Sequence, residues 1–449
     1  MKRCSPLALL VAPLLIISNP GQSRGGCLQH TGAAPTPETA DQVTPPFDYQ
    51  HNLLGDWFGA RNWLLDKGID ITASYTAEPA GNPVGGEKQS FTYLHNIGVG
   101  VSMDLEKLAG IPDTTFLVTM SQRSGSGLTQ EAVKNAISVQ QIFGGGQTIR
   151  LVQMRMDHTL FDGRFSFAYG RLTTTSDFLE SDLYCQFVTN GICGQPSSPF
   201  FNMNNGITAY PAASWGTLAR VETSEHTYVK VGVYDGDVTS GYDLHGTNFG
   251  FGDNGVLIMS EAGYKSDSCL GDMPGRYSLG AFYHTGHFSD VSRDTLGTNL
   301  LATGLPAEQH WGQEGFYLLF EQMLMRNHSD PKTGLESFVT FVAQPDEEKS
   351  TMPYYLNGGL IYQGLVPGRP ADKTSLGFYT AWWSGNLRDA EHEAGLSAQS
   401  CETLIELNHQ FQLNPFFYLR PDIQYVIKPN GQTNIHDALV LGMEVGVTF

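Results

Sequence analysis

From Gly68 onward the chain keeps a two-residue rhythm, and that rhythm limits the folds open to it more than any other feature. At the end, Leu439, Leu441, Met443, Val445, Val447 and Phe449 alternate with Val440, Gly442, Glu444, Gly446 and Thr448. Just before, Phe417, Leu419, Ile423, Tyr425 and Ile427 alternate with Tyr418, Arg420, Asp422 and Gln424. Successive side chains of a strand point to opposite faces, so each segment has one apolar face and one small or polar face. A soluble sandwich strand has the same property; the series as a whole is what discriminates.

The rhythm places strands at about 69–79, 91–105, 114–123, 147–160, 164–173, 215–223, 228–236, 255–266, 276–288, 314–327, 334–345, 353–364, 374–384, 402–413, 416–427 and 438–449. That is an even number, sixteen, and most are near the length a tilted strand needs to cross a bilayer. The connections alternate between a long class, from about 7 to about 41 residues, and a short class, from about 2 to about 9. Short periplasmic turns and longer extracellular loops sort in this way in outer-membrane barrels. Past residue 20 there is no run of eighteen apolar residues, so crossing by a helix is excluded. The expected fold is therefore all-β, a 16-stranded antiparallel transmembrane β-barrel whose closure pairs every backbone polar group.

Before the barrel, Lys2 and Arg3 precede an apolar stretch from Leu7 to Ile17, with Gly21 and Ser23 as small residues near a cleavage point. This reads as a signal peptide over 1–23. Residues 24–52, broken by Pro35, Pro37, Pro45 and Pro46, read as a disordered leader. Leu54, Trp57, Phe58, Arg61, Leu64 and Leu65 fall at near-helical spacing, so 53–68 reads as a short periplasmic helix ended by Gly68, with the barrel over 69–449. Export, strand spacing and lipid-facing strands together place the chain in the outer membrane of a Gram-negative cell.

Lys and Arg total 26 against 45 Asp and Glu, a net charge of −19. Such a balance excludes nucleic acid as a partner and disfavours an anion pore. Enzyme signals fail on inspection. Gly250, Gly252 and Gly255 match a dinucleotide fingerprint but lie between strands, with no βαβ unit. Gly81 and Gly86 have phosphate-loop spacing, yet Glu87 stands where lysine is required. His392-Glu393 lacks a second histidine one turn on, and Asp346, Glu347 and Glu348 read as a solvated loop face. Cys27, Cys269 and Cys401 are too scattered for a metal site. No enzyme activity, metal or cofactor is expected.

By strand parity the polar inner set comprises Arg155, Asp157, Arg171, Arg220, Glu222, Lys230, Glu261, Glu406, Arg420 and Asp422. Guanidinium and carboxylate groups can hydrogen-bond a passing polar solute, or they can simply pair along a wet wall. The long connection 174–214 carries Phe178, Tyr184, Phe187, Phe200 and Phe201 together with Cys185 and Cys193. A loop so apolar is expected to fold inward and narrow the lumen, with a disulfide between the two cysteines limiting its alternatives. Packing on neighbouring loops or on another subunit is the alternative for these aromatics.

These residues carry a family resemblance. LLGDWFGAR at 53–61, YGRL at 169–172, GLIYQGLVPGRPADKTSLGF at 359–378, and FYLRPDIQYVIKP at 417–429 followed by ALVLGMEVGVTF resemble the carbohydrate-selective porins of the OprB type. The resemblance implies a sixteen-stranded outer-membrane barrel, commonly a homo-trimer, that admits glucose and related small neutral sugars. It implies sugar contacts by arginines and acids at a constriction, with Arg171 and Arg220 in matching segments. It also implies that Phe449 is the terminal aromatic read by the barrel-assembly machinery. The expected function is passive diffusion of small sugars; a non-selective pore, or a plugged barrel with an enzymatic or adhesive role, are the alternatives.

Overall fold

The computed structural model describes residues 52–203, 206–237, 244–327, 330 and 333–449. The expected signal peptide and residues 24–51 of the expected leader lie outside them.

The strands, numbered in chain order, are β1 (Ile69–Ala77, resuming as Ala80–Gly86), β2 (Leu94–Asp104, preceded by Phe91–Thr92), β3 (Thr114–Gly125), β4 (Ile149–Leu160), β5 (Phe165–Leu172), β6 (Ser214–Glu222), β7 (Thr227–Asp235) and β8 (Val256–Ser266). They continue as β9 (Gly275–Asp294), β10 (Ala307–Arg326), β11 (Gly334–Ala343), β12 (Tyr354–Gln363), β13 (Lys373–Trp382), β14 (Cys401–Asn414), β15 (Phe417–Ile427) and β16 (His436–Thr448). The sheet contains eighteen hydrogen-bonded segments, which make sixteen strands because β1 and β2 are each interrupted once. In β1 the break falls at Glu78-Pro79, where proline has no N–H to offer. Each strand is antiparallel to its neighbour in sequence, and β1 closes the cylinder on β16 through Ser74↔Thr448 to Ala77↔Val445.

The polarity is inside out. On β14, Ile405 and Leu407 are 43% and 48% exposed while Glu402, Glu406 and Asn408 on the other face are buried. β15 repeats this with Ile423 and Tyr425 outside and Arg420, Asp422 and Gln424 buried, and Val229, Val231 and Val233 ring the outside of β7. In water such an apolar exterior costs about 25 cal/mol for each Å²; in a bilayer it is the favourable face. No helix among the described residues is long and apolar enough to cross a membrane, so the crossing is made by strands.

Two differences from the sequence expectation have physical causes. The β9–β10 hairpin runs about six residues beyond each expected strand end, with register shifts at His284/His287 and Ser289/Asp294. Its outer part, with His287, Ser289, Asp290, Ser292, Glu308 and Gln309, rises past the lipid band and so has no apolar face to signal it. The N-terminal helix is shorter than expected. It is α1 (Ala60–Asp66), because Phe58 at φ 59° and Gly59 at φ 91° turn the preceding segment out of helical geometry.

That segment is tied to the barrel seam. The Arg61 guanidinium donates to Gly55 O at 3.1 Å, Ile71 O at 3.1 Å and Phe449 O at 2.7 Å. Its Cζ lies 4.4 Å from the centre of the Trp57 ring. Leu53 N donates to Thr448 O and Phe449 N to Ala73 O, each at 2.9 Å.

The turn between β12 and β13 is clamped as well. Arg369 makes a two-pronged bond to Asp372 at 2.6 and 2.8 Å, and the same carboxylate accepts from Gln412 N at 3.0 Å and faces His409 Nε2 at 3.3 Å. Burial by itself would push the Asp372 carboxyl up, but the bonds from Arg369, Gln412 and His409 outweigh it and hold the group below the usual carboxylate range. A depressed folded value means that the clamp is fully present above an unfolded value of about 3.9 and is lost as pH falls through the lower folded value. Asp372→Asn is therefore expected to lower the unfolding temperature at pH 7, with the gap from wild type closing as pH drops below about 4. A gap independent of pH, followed by circular dichroism, would remove the ionised clamp as its cause.

Candidate functional site

Two long connections lie against the inner face of the wall. In the connection from β5 to β6, Phe178, Tyr184 and Phe187 are fully buried. Phe178 meets Tyr234 edge-on, and Tyr184 and Phe187 meet Phe338 with ring centres 5.3 and 5.9 Å away. Tyr184 shares a 2.6 Å hydrogen bond with Thr340. The wall makes room by giving up side chains: a Cβ on Gly377 would come within 2.5 Å of Phe187. Conversely, a Cβ on Gly191 of the loop would strike Tyr379 at 2.2 Å, while Gly191 O accepts from the Tyr355 hydroxyl. Cys185 and Cys193 are joined by a disulfide.

Wall polar groups satisfy the loop backbone, as a buried loop requires. Glu406 accepts from Val188 N and Thr189 N, both at 2.8 Å. Arg420 donates to Cys185 O at 3.1 Å and pairs with Glu444 at 3.0 Å. Asn408 donates to Gln186 O at 2.9 Å.

The connection from β3 to β4 also lies inside, which the alternation of the strands gives no reason to expect. Leu128, Ala132, Val133, Ile137 and Val139 are buried there. Glu402 accepts from Ala136 N at 2.7 Å, and Gln424 donates to Val139 O at 2.9 Å. The signal was present in the spacing of Val133, Ile137, Val139 and Ile142, but Lys134, Asn135, Gln140 and Gln141 between them gave it a polar look.

The expected inner set divides into three groups. Lys230, Glu261, Glu406, Arg420 and Asp422 face inward but are 4% exposed or less. They hold other protein groups instead of an open surface: Glu261 bonds Lys230 at 3.0 Å, Tyr228 at 2.8 Å and Tyr317 at 2.5 Å, and Asp422 accepts from Gln424 at 2.8 Å.

Arg171 corrects the parity reading. The register pairs Arg155 with Gly170, so Arg171 takes the face opposite to Arg155. There it is fully buried, donating to Asn248 O at 3.0 Å and Ala213 O at 2.9 Å. A segment packed outside the wall covers it, so burial on this strand does not imply an inward side chain.

The third group stays partly open. Arg155 bonds Asp157 at 2.8 Å and Asp177 at 2.7 Å, with Asp157 retaining 37% side-chain exposure. Arg220 bonds Glu222 at 2.7 Å, both about a quarter exposed, and its guanidinium lies 4.1 Å from the Tyr228 ring. The same arc continues through residues that the sequence alone did not single out. Arg276 pairs with Glu321 at 2.8 Å and with Glu180 of the loop at 3.5 Å. The parity rule could have found them, since Arg276 shares its face with the buried Ser278 and Phe282. Every wall member of this arc lies in the half of its strand nearer a short turn. The arrangement can present forked donors and carboxylate acceptors side by side.

Comparison with known proteins extends over nearly the whole chain. It is 27% identical over 458 aligned residues to Porin B of Pseudomonas aeruginosa, covering 96% of this chain and 99% of that protein. It is 28% identical over 431 residues to the putative porin QuiX of Acinetobacter baylyi, covering 88% and 93%. The high-pH structure of Pseudomonas putida OprB superposes with a TM-score of 0.80 at 28% identity, covering 88% of this chain and 97% of that one. The sequence model of the carbohydrate-selective porins matches residues 88–449. With its closed sixteen-stranded sheet and this match over most of its length, the chain belongs to the OprB family of carbohydrate-selective porins.

Proposed function

We propose that small neutral sugars cross this outer-membrane porin by touching the open arc of Arg155, Asp157, Arg220, Glu222, Arg276 and Glu321, beside the inward-packed loop. The observation that carries the reading is the row of guanidinium–carboxylate pairs that keep exposed edges while Glu261, Glu406, Arg420 and Asp422 are buried against protein. A sugar offers neighbouring hydroxyls about as far apart as the prongs of a guanidinium. A paired arginine has donors left over for it, since its fork carries five N–H groups. Each exchanged hydrogen bond nets about 0.5–1.5 kcal/mol, so a few give roughly millimolar affinity. Weak holding is what passage requires, because a solute bound tightly would not leave.

The test is planar-bilayer conductance with glucose titrated in. Wild type is expected to show concentration-dependent block in the millimolar range, and Arg220→Ala or Arg276→Ala to weaken it several-fold while conductance persists. Current that ignores glucose would identify a general diffusion pore, and no current at all a plugged barrel; either result defeats the proposal.

A further inference from the structure

We propose that the long-loop end of the barrel carries a binding site for a first-row transition-metal dication, held by Asp290, His310 and Glu348. The inference is independent of the sugar path, since none of these residues belongs to the charged arc.

Three separate segments supply the donors: Asp290 lies on the outer part of β9, His310 on the outer part of β10, and Glu348 in the connection after β11. One donor atom from each lies within 4.8 Å of the others. Asp290 is held tightly, being 2% exposed. Its Oδ1 accepts from Ser292 N at 2.8 Å, Ser292 Oγ at 3.0 Å and Arg293 N at 2.8 Å. That fixes the carboxylate plane and leaves Oδ2 facing His310 Nε2 at 3.0 Å.

Glu348 is carried to the hairpin by its own backbone and its neighbours. Val291 N donates to Glu348 O at 2.8 Å, Lys349 Nζ to Gly312 O at 2.7 Å, and Gln313 Nε2 to Ser350 Oγ at 2.8 Å. The adjacent Lys349 ammonium is directed at Asp346, 2.8 Å away. Two carboxylates therefore converge on one imidazole.

A His–Asp hydrogen bond alone has no use for a second carboxylate; a cation has. One imidazole nitrogen and two carboxylate oxygens make a donor set for zinc and its first-row neighbours. Calcium and magnesium, which prefer all-oxygen shells, suit it poorly. Binding puts the ion where the His310 Nε2 to Asp290 Oδ2 contact now is, with the imidazole proton on Nδ1. Glu348 is exposed, so that side is open for water to complete the shell. A bound ion would join the hairpin to the next loop.

The experiment uses the purified, folded protein in detergent, stripped with a chelator and titrated with zinc chloride by calorimetry, with metal content read by mass spectrometry. One zinc per chain is expected. His310→Gln and Glu348→Gln should each weaken binding by at least about tenfold, the scale on which even outer-shell partners of a metal act. Both variants should keep the heat-modifiable gel migration of a closed barrel, because both positions lie beyond the lipid band. Zinc binding undiminished in Glu348→Gln, calcium binding as tight as zinc, or no zinc bound would each overturn the proposal.

Discussion

The double variant Tyr184→Ala/Phe187→Ala is expected to raise single-channel conductance several-fold and to abolish block by glucose. These two rings, beside Phe178, are a central part of the apolar grip of the β5–β6 loop on the wall. Both are fully buried, both meet Phe338 edge-on, and Phe187 fills the space that Gly359 and Gly377 leave free. Removing a buried aromatic side chain costs about 3–5 kcal/mol, which here falls on the loop's docking and not on sheet pairing. The disulfide joins Cys185 to Cys193 across Phe187 and Gly191, so this stretch should leave the wall as a unit. The remaining polar anchors, Val188 and Thr189 on Glu406 together with the bonds from Arg420, Asn408 and Tyr355 to loop carbonyls, would then face water that competes for the same groups. Opening of this kind is local, drawn from the less stable end of the molecule, and the closed sheet should keep its circular-dichroism signature. Conductance and block both unchanged, with the barrel folded, would show that this loop does not set the passage.

Much of the fold was legible because a lipid-facing wall writes its rule at every second position. Ile405 and Leu407 against Glu406 and Asn408 could be read directly. The rule lapses where its cause does. Ala80–Gly86 pairs with β16 at irregular register, and AGNPVGG carries no alternation. The outer β9–β10 hairpin stands clear of lipid. The site was less legible than the wall, since parity gives the face of a residue and not what covers it. Arg220 and Glu406 share an inward direction, yet one keeps an open edge and the other is sealed under backbone N–H groups. Arg171 shows the converse, a buried arginine on the outward face, hidden by carbonyls from segments distant in sequence.

Arg61→Ala is expected to cost the barrel more stability than Asp372→Asn or the loss of either arc arginine. The guanidinium joins three stretches of chain: the turn at Gly55, the start of β1 at Ile71, and Phe449 just past the end of β16. Closure is where a barrel differs from an open sheet, and β1 to β16 is its last pairing, with four residue pairs in register before the Pro79 break. Bonds to a charged donor contribute about 1.5–3 kcal/mol each, and truncating the side chain removes all three from part-buried oxygens at once. A loss on the order of 3–5 kcal/mol follows. Arg61→Lys should recover only part of it, because one ammonium cannot reach three divergent carbonyls as a planar fork does. The measurement is the temperature at which the folded band converts to the unfolded band on a gel, with thermal circular dichroism beside it. If Arg61→Ala and wild type convert together, the seam is held by strand pairing alone; if Lys restores full stability, charge matters and the fork does not. A large drop in Ala with partial rescue in Lys is what a clamp of this geometry requires, and it would make LLGDWFGAR a closure element of the barrel instead of a periplasmic appendage.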